Sequence, residues 1–533
     1  MRICRIIGVG KPRGLKPAAR WWGFLACTPL GILLVPIAAS AGGPFDYQDP
    51  PQGTFVDEWM TVELDGARVG YTHTTIMRNG DEIRYRMLMQ MTMQRAGQTI
   101  TITQMEATHE TLDGRPVGFE SAMGMGEMEI VKQGRIRDGK INMVSSQFGL
   151  ETRQTYDYPK GALMYWGLHR KQMEMGFEPG TSYSVDTYVP GIMPTLALKT
   201  TTLIEGREDV DVMGQMHHAI KSKNTLVTPF GTIVSYAWTD ESGTMLVAEV
   251  PMMGLGTIRM IRTDRETAQA QTEAPEFFMP TLVKVSRSID RDAAKTIRYR
   301  LSVKDPDNDV PKLPTTEMQT PGERVNRTVE LTVSRIDHQR LRDMKFIAPY
   351  SRPSGMDEYL ASNAMMNLDD GELVAMATKA ADGATHPYVL ADNLRRYVTD
   401  VIVDKNLTVA FASASEVCRN REGDCSEHAV LLAALGRVVG LPSRVVTGLV
   451  YVPTFQGADH VFGFHMWTQF YFAGRWIDFD AAQRESDCNP THIALGTSSL
   501  EGGSLMEAAF ALIGTLGQLE IGIEDIQTSA GRR

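Results

Sequence analysis

The sequence predicts an α+β protein, with a large antiparallel β-rich region followed by a C-terminal domain that mixes helices and strands. Three observations predict it. From about residue 55 to 345 apolar residues recur with a period of two, interrupted by Gly-containing turns at short spacing. After about residue 350 the period lengthens to that of amphipathic helices. Strand-like runs then return in "SRVVTGLVYV" and "HMWTQFYFAGRWIDFD". A chain of 533 residues exceeds one ordinary domain, and 43% hydrophobic with 22% charged residues is the composition of a folded protein.

Residues 1–41 read as a separate object. Arg2, Arg5, Lys11, Arg13, Lys16 and Arg20 precede the uncharged run "WWGFLACTPLGILLVPIAASA", which ends in Ala39-Ser40-Ala41. A basic start, an apolar run and a small-x-small end suit a cleaved signal peptide. The run is also nearly long enough to be retained as an anchor, and Cys27 keeps a lipoprotein signal as a third option. Each reading sends the body of the chain out of the cytoplasm, to the periplasm or its membrane face, with residues 21–41 as the only expected membrane anchor. Without 1–41 the net charge moves from −10 to −16, which argues against a nucleic-acid partner.

Residues 42–54 are rich in Gly and Pro and read as a linker. Two related β-units are expected at 55–175 and 176–275, and a third β-rich segment at 276–350, as sandwiches or half-barrels. The clearest strand is "IRYRMLMQMTMQ", with Ile83, Tyr85, Met87, Met89, Met91 and Met93 on one face. That alternation assigns these methionines, among 31 in the chain, to core packing rather than to copper ligation. A mixed domain is expected over 351–500, opening with helices at "DDGELVAMATKAA" and "LADNLRRYVTDVIV", and a tail at 501–533 that reads as helix then strand.

The chemistry concentrates in "REGDCSEHAVLLAALGRVVGLPSRVVTG". Asp424 precedes a run in which Ala429, Leu432, Ala433, Val438 and Val439 share one face, and Gly440 with Pro442 ends it. Cys425 therefore opens a helix, where the dipole and bare N–H groups favour a thiolate. Downstream, "YFAGRW" reads as a hairpin turn at Ala473-Gly474, which sets His465 near the start of one strand beside Asp480 at the end of the next. A thiol, an imidazole and a carboxylate in that order of contact make a nucleophile, a base and its orienter. The plain alternative is a structural cysteine at a loop-to-helix junction.

These stretches, with "FHMW" and "GRWIDFD", resemble the bacterial branch of the transglutaminase-like superfamily over about 355–500. The resemblance implies a papain-like core and assigns nucleophile, base and orienter to Cys425, His465 and Asp480. Two departures stand out: Ala481-Ala482 replaces the Pro-Thr that often follows the family's Asp, and no Trp lies between Trp238 and Trp467 to hold an oxyanion. The Cys425 N–H with Tyr397 or Asn420 is the expected substitute. A Cys418–Cys488 disulfide is expected to staple the loops beside the site and leave Cys425 reduced. The implied activity is cleavage or transfer of acyl groups at amide bonds of a protein or peptide, hydrolysis before crosslinking, with no cofactor and no metal. A non-catalytic cell-envelope binding or scaffold protein is the alternative.

Other candidates are weaker. Glu427 and His428 read as capping or helix-surface residues, and His460 in "GADHVFG" as a rim residue. "DPDNDV" at 305–310 lacks the Gly of a calcium loop and reads as a turn.

Overall fold

The computed structural model describes residues 45–532 except 96, 126–127, 148–149, 192, 194, 229–230, 253–255, 305–308, 347–353, 404–411, 484–487, 502–516 and 529–530. The signal or anchor at 1–41, part of the 305–310 turn and most of the helix expected in the tail lie outside the described residues. Among the described residues no helix is long and apolar enough to cross a membrane.

Strands β1 (Gly53–Leu64) to β14 (Gly256–Thr263) form one fourteen-stranded antiparallel sheet. The two β-units expected from sequence are thus joined: β1 pairs with β14, from Trp59↔Thr263 to Leu64↔Ile258. The outer strands are β8 (Leu150–Asp157) and β9 (Ser182–Thr187), linked through helix α1 (Tyr165–Met175). In β3 (Glu82–Arg95) the residues Ile83, Tyr85, Met87, Met89, Met91 and Met93 are all buried while their neighbours are not, so the methionine face packs inward.

α1 is held to this sheet by a buried carboxylate. Glu110, near the end of β4 (Gln98–Thr111), accepts the Trp166 and Gly167 N–H groups at 2.8 Å each and the Thr108 hydroxyl at 2.8 Å. The two N–H groups are donors that the first turn of a helix leaves unsatisfied. Tyr165 stacks on Tyr85 with centroids 4.3 Å apart.

The segment after 276 departs from the expected third β-unit. β15 (Val283–Lys284) joins the C-terminal sheet through Val283↔Phe462. β16 (Ala294–Val303), β17 (Gln319–Val325) and β18 (Thr328–Ser334) form a second five-stranded sheet with β23 (Leu519–Thr528) and β24 (Gly531–Arg532) from the tail. The tail therefore does not stand apart: β23 pairs with β16 from Ala294↔Thr528 to Val303↔Leu519.

The C-terminal domain stacks helices on a sheet of order β15-β20-β19-β22, with β21 pairing β20. Its strands are β19 (Ser443–Phe455), β20 (Ala458–Phe472), β21 (Arg475–Phe479) and β22 (His492–Ser498). Its helices are α2 (Gly371–Ala381), α3 (Pro387–Val401), α4 (Ala414–Asn420) and α5 (Cys425–Val438). Val450, Val452, Phe455 and Val461, at the β19–β20 tip, are buried in the same apolar cluster as the methionine face of β3.

Candidate active site

Local chemistry fixes the head of α5. Asp424 is its N-cap, accepting from the Ser426 N–H at 2.9 Å, and Glu427 returns the bond by accepting the Asp424 N–H at 2.8 Å. This is a reciprocal capping box. Glu427 also accepts the Ala412 N–H at 3.0 Å, and His428 Nδ1 lies 2.6 Å from the Asp424 carbonyl. Burial, reinforced by the charge of Asp424, holds the Glu427 carboxyl well above its ordinary range. Glu427 is thus a capping residue, and His428 is buried against the same helix start. Cys425 is the first residue of α5 and is 1% exposed.

The turn at Ala473-Gly474 forms as expected, with φ of 55° and 76°, and Phe472↔Arg475 closes the hairpin. Two successive positive φ values are the two-residue turn that matches strand twist. His465 lies mid-strand rather than near the strand start, because β20 begins seven residues earlier at Ala458. On the edge of β20 away from β19, β15 pairs at Val461 and Phe462 and β21 from Thr468 onward. His465 stands between these two stretches, where the chain leaves β21 at Asp480.

His465 Nε2 lies 2.8 Å from Asp480 Oδ2, both groups being buried. Asp480 Oδ1 accepts the Ala482 N–H at 2.9 Å. A second imidazole, His492 at the start of β22, reaches the same Oδ2 at 3.2 Å. Burial alone would raise the Asp480 carboxyl, but the charge and hydrogen bond of His465, then those of His492, overcome it and hold it well below the usual carboxylate range. Burial pushes His492 the other way, towards the neutral form.

The sequence reading did not single out His492. Register explains its place: Gly448 pairs with His465, and Val450 with His492, so both imidazoles project from one face of the sheet. Trp467 packs against both, with centroids 6.1 Å from His465 and 5.3 Å from His492, and the two imidazoles are 6.0 Å apart. Gly448 makes the room, since a Cβ there would meet the Trp467 ring at 2.7 Å and the Ile493 carbonyl at 2.2 Å.

α5 runs along β20. The Thr468 hydroxyl donates to the Ala429 carbonyl at 2.9 Å, and a Cβ on Gly436 would strike the Phe470 ring. Ala429 is one turn from Cys425, and Thr468 is three residues from His465. Helix and strand therefore run in the same sense, and their N-terminal halves carry Cys425 and His465 towards one end of the layer.

The remaining candidates lie as follows. Tyr397 is half-buried on α3 with the Lys379 ammonium 5.7 Å from its ring, and Asn420 is exposed at the end of α4. The side of α3 that reaches Asp480 is Thr399, whose hydroxyl donates to the Ala481 carbonyl at 2.8 Å. His460 is half-buried, with Nδ1 2.9 Å from the Tyr451 hydroxyl. The expected Cys418–Cys488 disulfide is not formed, and both residues are buried thiols. α4 holds Cys418 near Asp370 and Glu372 of the α2 start, whereas Cys488 enters β22 on the side where Tyr299 of β16 donates to the Pro490 carbonyl. Burial, then those two carboxylates, push the Cys418 thiol up. Among the described residues, His465, Asp480 and His492 are the group with metal-compatible spacing, their ligand atoms lying within 4.8 Å of one another.

Residues 374–481 match the family described as the transglutaminase-like superfamily. The C-terminal domain is transglutaminase-like. The match begins in α2, ends just past Asp480, and so contains all three residues of the expected triad. Among solved structures, a protein from Cytophaga hutchinsonii, provisionally named a cysteine protease, is similar at 17% identity and TM-score 0.28 over 44% of this chain and 87% of that one. A β-barrel-like protein of a domain of unknown function from Brucella abortus is similar at 12% identity and TM-score 0.31, over 40% and 96%. A protein from Parabacteroides distasonis, provisionally named a protease, is similar at 11% identity and TM-score 0.18, over 69% and 68%. No curated protein matches the chain.

Proposed function

We propose that this protein is an exported cysteine enzyme that cleaves or transfers acyl groups at amide bonds of protein or peptide substrates. The observation that carries the reading is the buried His465–Asp480 bond of 2.8 Å, in a domain whose nucleophile candidate opens the helix packed along the same strand. In the proposed steps His465 takes the Cys425 proton. The thiolate attacks the amide carbonyl, and the developing oxyanion is met by the Cys425 backbone N–H, with Tyr397 or Asn420 as second donor. The C–N bond breaks as the imidazolium gives its proton to the leaving amine. Water, deprotonated by His465, then cleaves the thioester and releases the acid. An amine in place of water would give transfer. Export rests on the basic and apolar pattern of residues 1–41.

A second reading, a non-catalytic envelope binding or scaffold protein, is favoured by one observation: Cys425 is buried and counted in the main apolar cluster of the domain. Alkylation by iodoacetamide at neutral pH, read by mass spectrometry with Cys418 and Cys488 as internal references, separates the two. The enzyme reading expects Cys425 to react on the order of thirtyfold faster than an ordinary thiol, which is only about 3% ionised at pH 7, and His465→Ala to abolish the difference. Equal rates at all three thiols would sink the enzyme reading.

A further inference from the structure

The steps above give His492 no part, yet its imidazole is buried and fixed from several sides. Its Nε2 lies 3.2 Å from Asp480 Oδ2, the oxygen that His465 meets at 2.8 Å. Its Nδ1 lies 3.3 Å from the Asn489 backbone nitrogen and 3.2 Å from the Asn489 carbonyl. A carboxylate only accepts, so Nε2 of His492 carries the proton. Burial disfavours a second proton, which leaves Nδ1 bare to accept the Asn489 N–H. Asn489 is itself locked, its side-chain oxygen accepting the Thr491 N–H at 3.0 Å and the Thr491 hydroxyl at 2.6 Å. The next carbonyl, of Pro490, accepts from Tyr299 in the neighbouring sheet at 2.9 Å.

We infer that His492 is a positioning residue for acyl transfer: it clamps Asp480 Oδ2, so that this oxygen holds His465 with Nε2–H towards the carboxylate and leaves Nδ1 to serve as the base. The inference rests on the enzyme reading above. Asp480 needs such a clamp because it follows the last residue of β21, where the ladder no longer restrains the chain. Within its own segment, Ala482 supplies the bond to the other oxygen. His492 comes from a different strand, β22, tied to β19 by the register Val450↔His492. Two strands then converge on one carboxylate, and the orientation of His465 no longer depends on one side-chain torsion.

The test compares the full-length protein with His492→Phe, His492→Gln and His465→Ala, measuring iodoacetamide alkylation of Cys425 at neutral pH. Thermal unfolding is recorded for each variant. Phe keeps a ring beside Trp467 but donates nothing, whereas Gln offers an N–H where Nε2 stood. His492→Phe is expected to slow alkylation about tenfold or more, the loss of one hydrogen bond to a charged group, and Gln to restore it to within about twofold. The alkylation rate of Cys418 should stay unchanged. A folded Gln variant as slow as His465→Ala overturns the clamp, even where the Phe variant unfolds. His492→Phe reacting at the native rate while His465→Ala is slow also overturns it, and leaves the enzyme reading standing. If His465→Ala is itself without effect, both fall. A parallel zinc titration gives a further outcome: stabilisation by Zn²⁺ that His492→Phe abolishes, with alkylation unchanged, assigns the three side chains to a metal and overturns the clamp.

Discussion

The β-rich sheet and the transglutaminase-like domain both bury carboxyl groups, and they do opposite things with them. In the sheet, burial pushes Glu106 and Glu110 up to about 7. In the C-terminal domain, Asp480 is equally buried yet held well below the usual carboxylate range. The difference lies in the donors. Glu110 is met by two backbone N–H groups and a hydroxyl, and Glu106 by the Ser121 hydroxyl at 2.6 Å, with a weaker pull from Lys132, whose own ammonium burial pushes towards the neutral form. Neutral donors offset only part of the cost of taking a charge from water. Asp480 faces two imidazoles, one of which can carry a full positive charge. Burial therefore does not decide whether a carboxyl is ionised; the charge available among its partners does.

Asp480→Asn breaks this comparison most severely. It leaves His465 and His492 facing a neutral amide, which should cost about 3 kcal/mol in denaturant unfolding. It should also return Cys425 to the reactivity of an ordinary thiol, a drop on the order of thirtyfold in alkylation at neutral pH. Native alkylation in the folded Asn variant would mean that the carboxylate does not support the imidazole. The depressed Asp480 carboxyl contributes stability above the ordinary carboxylate range, and that contribution is lost as pH falls through its folded value.

Glu106 has the opposite sign. Its raised carboxyl contributes stability that is fully present below its unfolded value near 4.5 and lost as pH rises through about 7. That window corresponds to about 3 kcal/mol. Glu106→Gln keeps an acceptor for Ser121 and removes the ionisation. Unfolding midpoints measured at pH 5 and pH 8 should converge in this variant, leaving the slope that Glu110 supplies. An unchanged slope would show that Glu106 is already ionised in the fold.

Local signals carried what the sequence revealed of this arrangement. The alternation from Ile83 to Met93 needs only period two, the Ala473-Gly474 hairpin needs only its turn, and the Asp424–Glu427 box is a four-residue pattern. Those features, with the family resemblance, sufficed to nominate Cys425, His465 and Asp480. Pairings between distant segments left no such mark. Nothing local announces that Trp59 lies opposite Thr263, or that Ile526 in the tail lies opposite Ile297, so the sequence did not reveal how these segments join into sheets. His492 was missed for the same reason. No strand was expected at "HIALGTS", and only the register of β22 against Val450 turns its first residue towards Asp480. The disulfide expectation rested on closeness in sequence to the site, which does not bring two thiols within bonding distance, and Cys418 and Cys488 are not joined.

The finest test uses two neighbours on one strand face. Asp478 precedes Asp480 by two residues and is also fully buried, but its donors are the Trp467 indole at 2.7 Å and the Gln469 amide at 2.8 Å, both neutral. Burial pushes it up to about 6, against those two donors and the weaker pull of the Arg444 charge. Below that pH it is already uncharged in the fold, and Asn offers the same acceptor oxygen in nearly the same volume. Asp478→Asn at pH 5 should thus change unfolding stability by less than about 0.5 kcal/mol and leave alkylation of Cys425 at neutral pH at the native rate. The same substitution two residues later should remove most of that reactivity. If Asp478→Asn slows alkylation as much as Asp480→Asn does, the donors do not distinguish the two carboxyls, and the reactivity of Cys425 depends on negative charge anywhere on this face of the sheet.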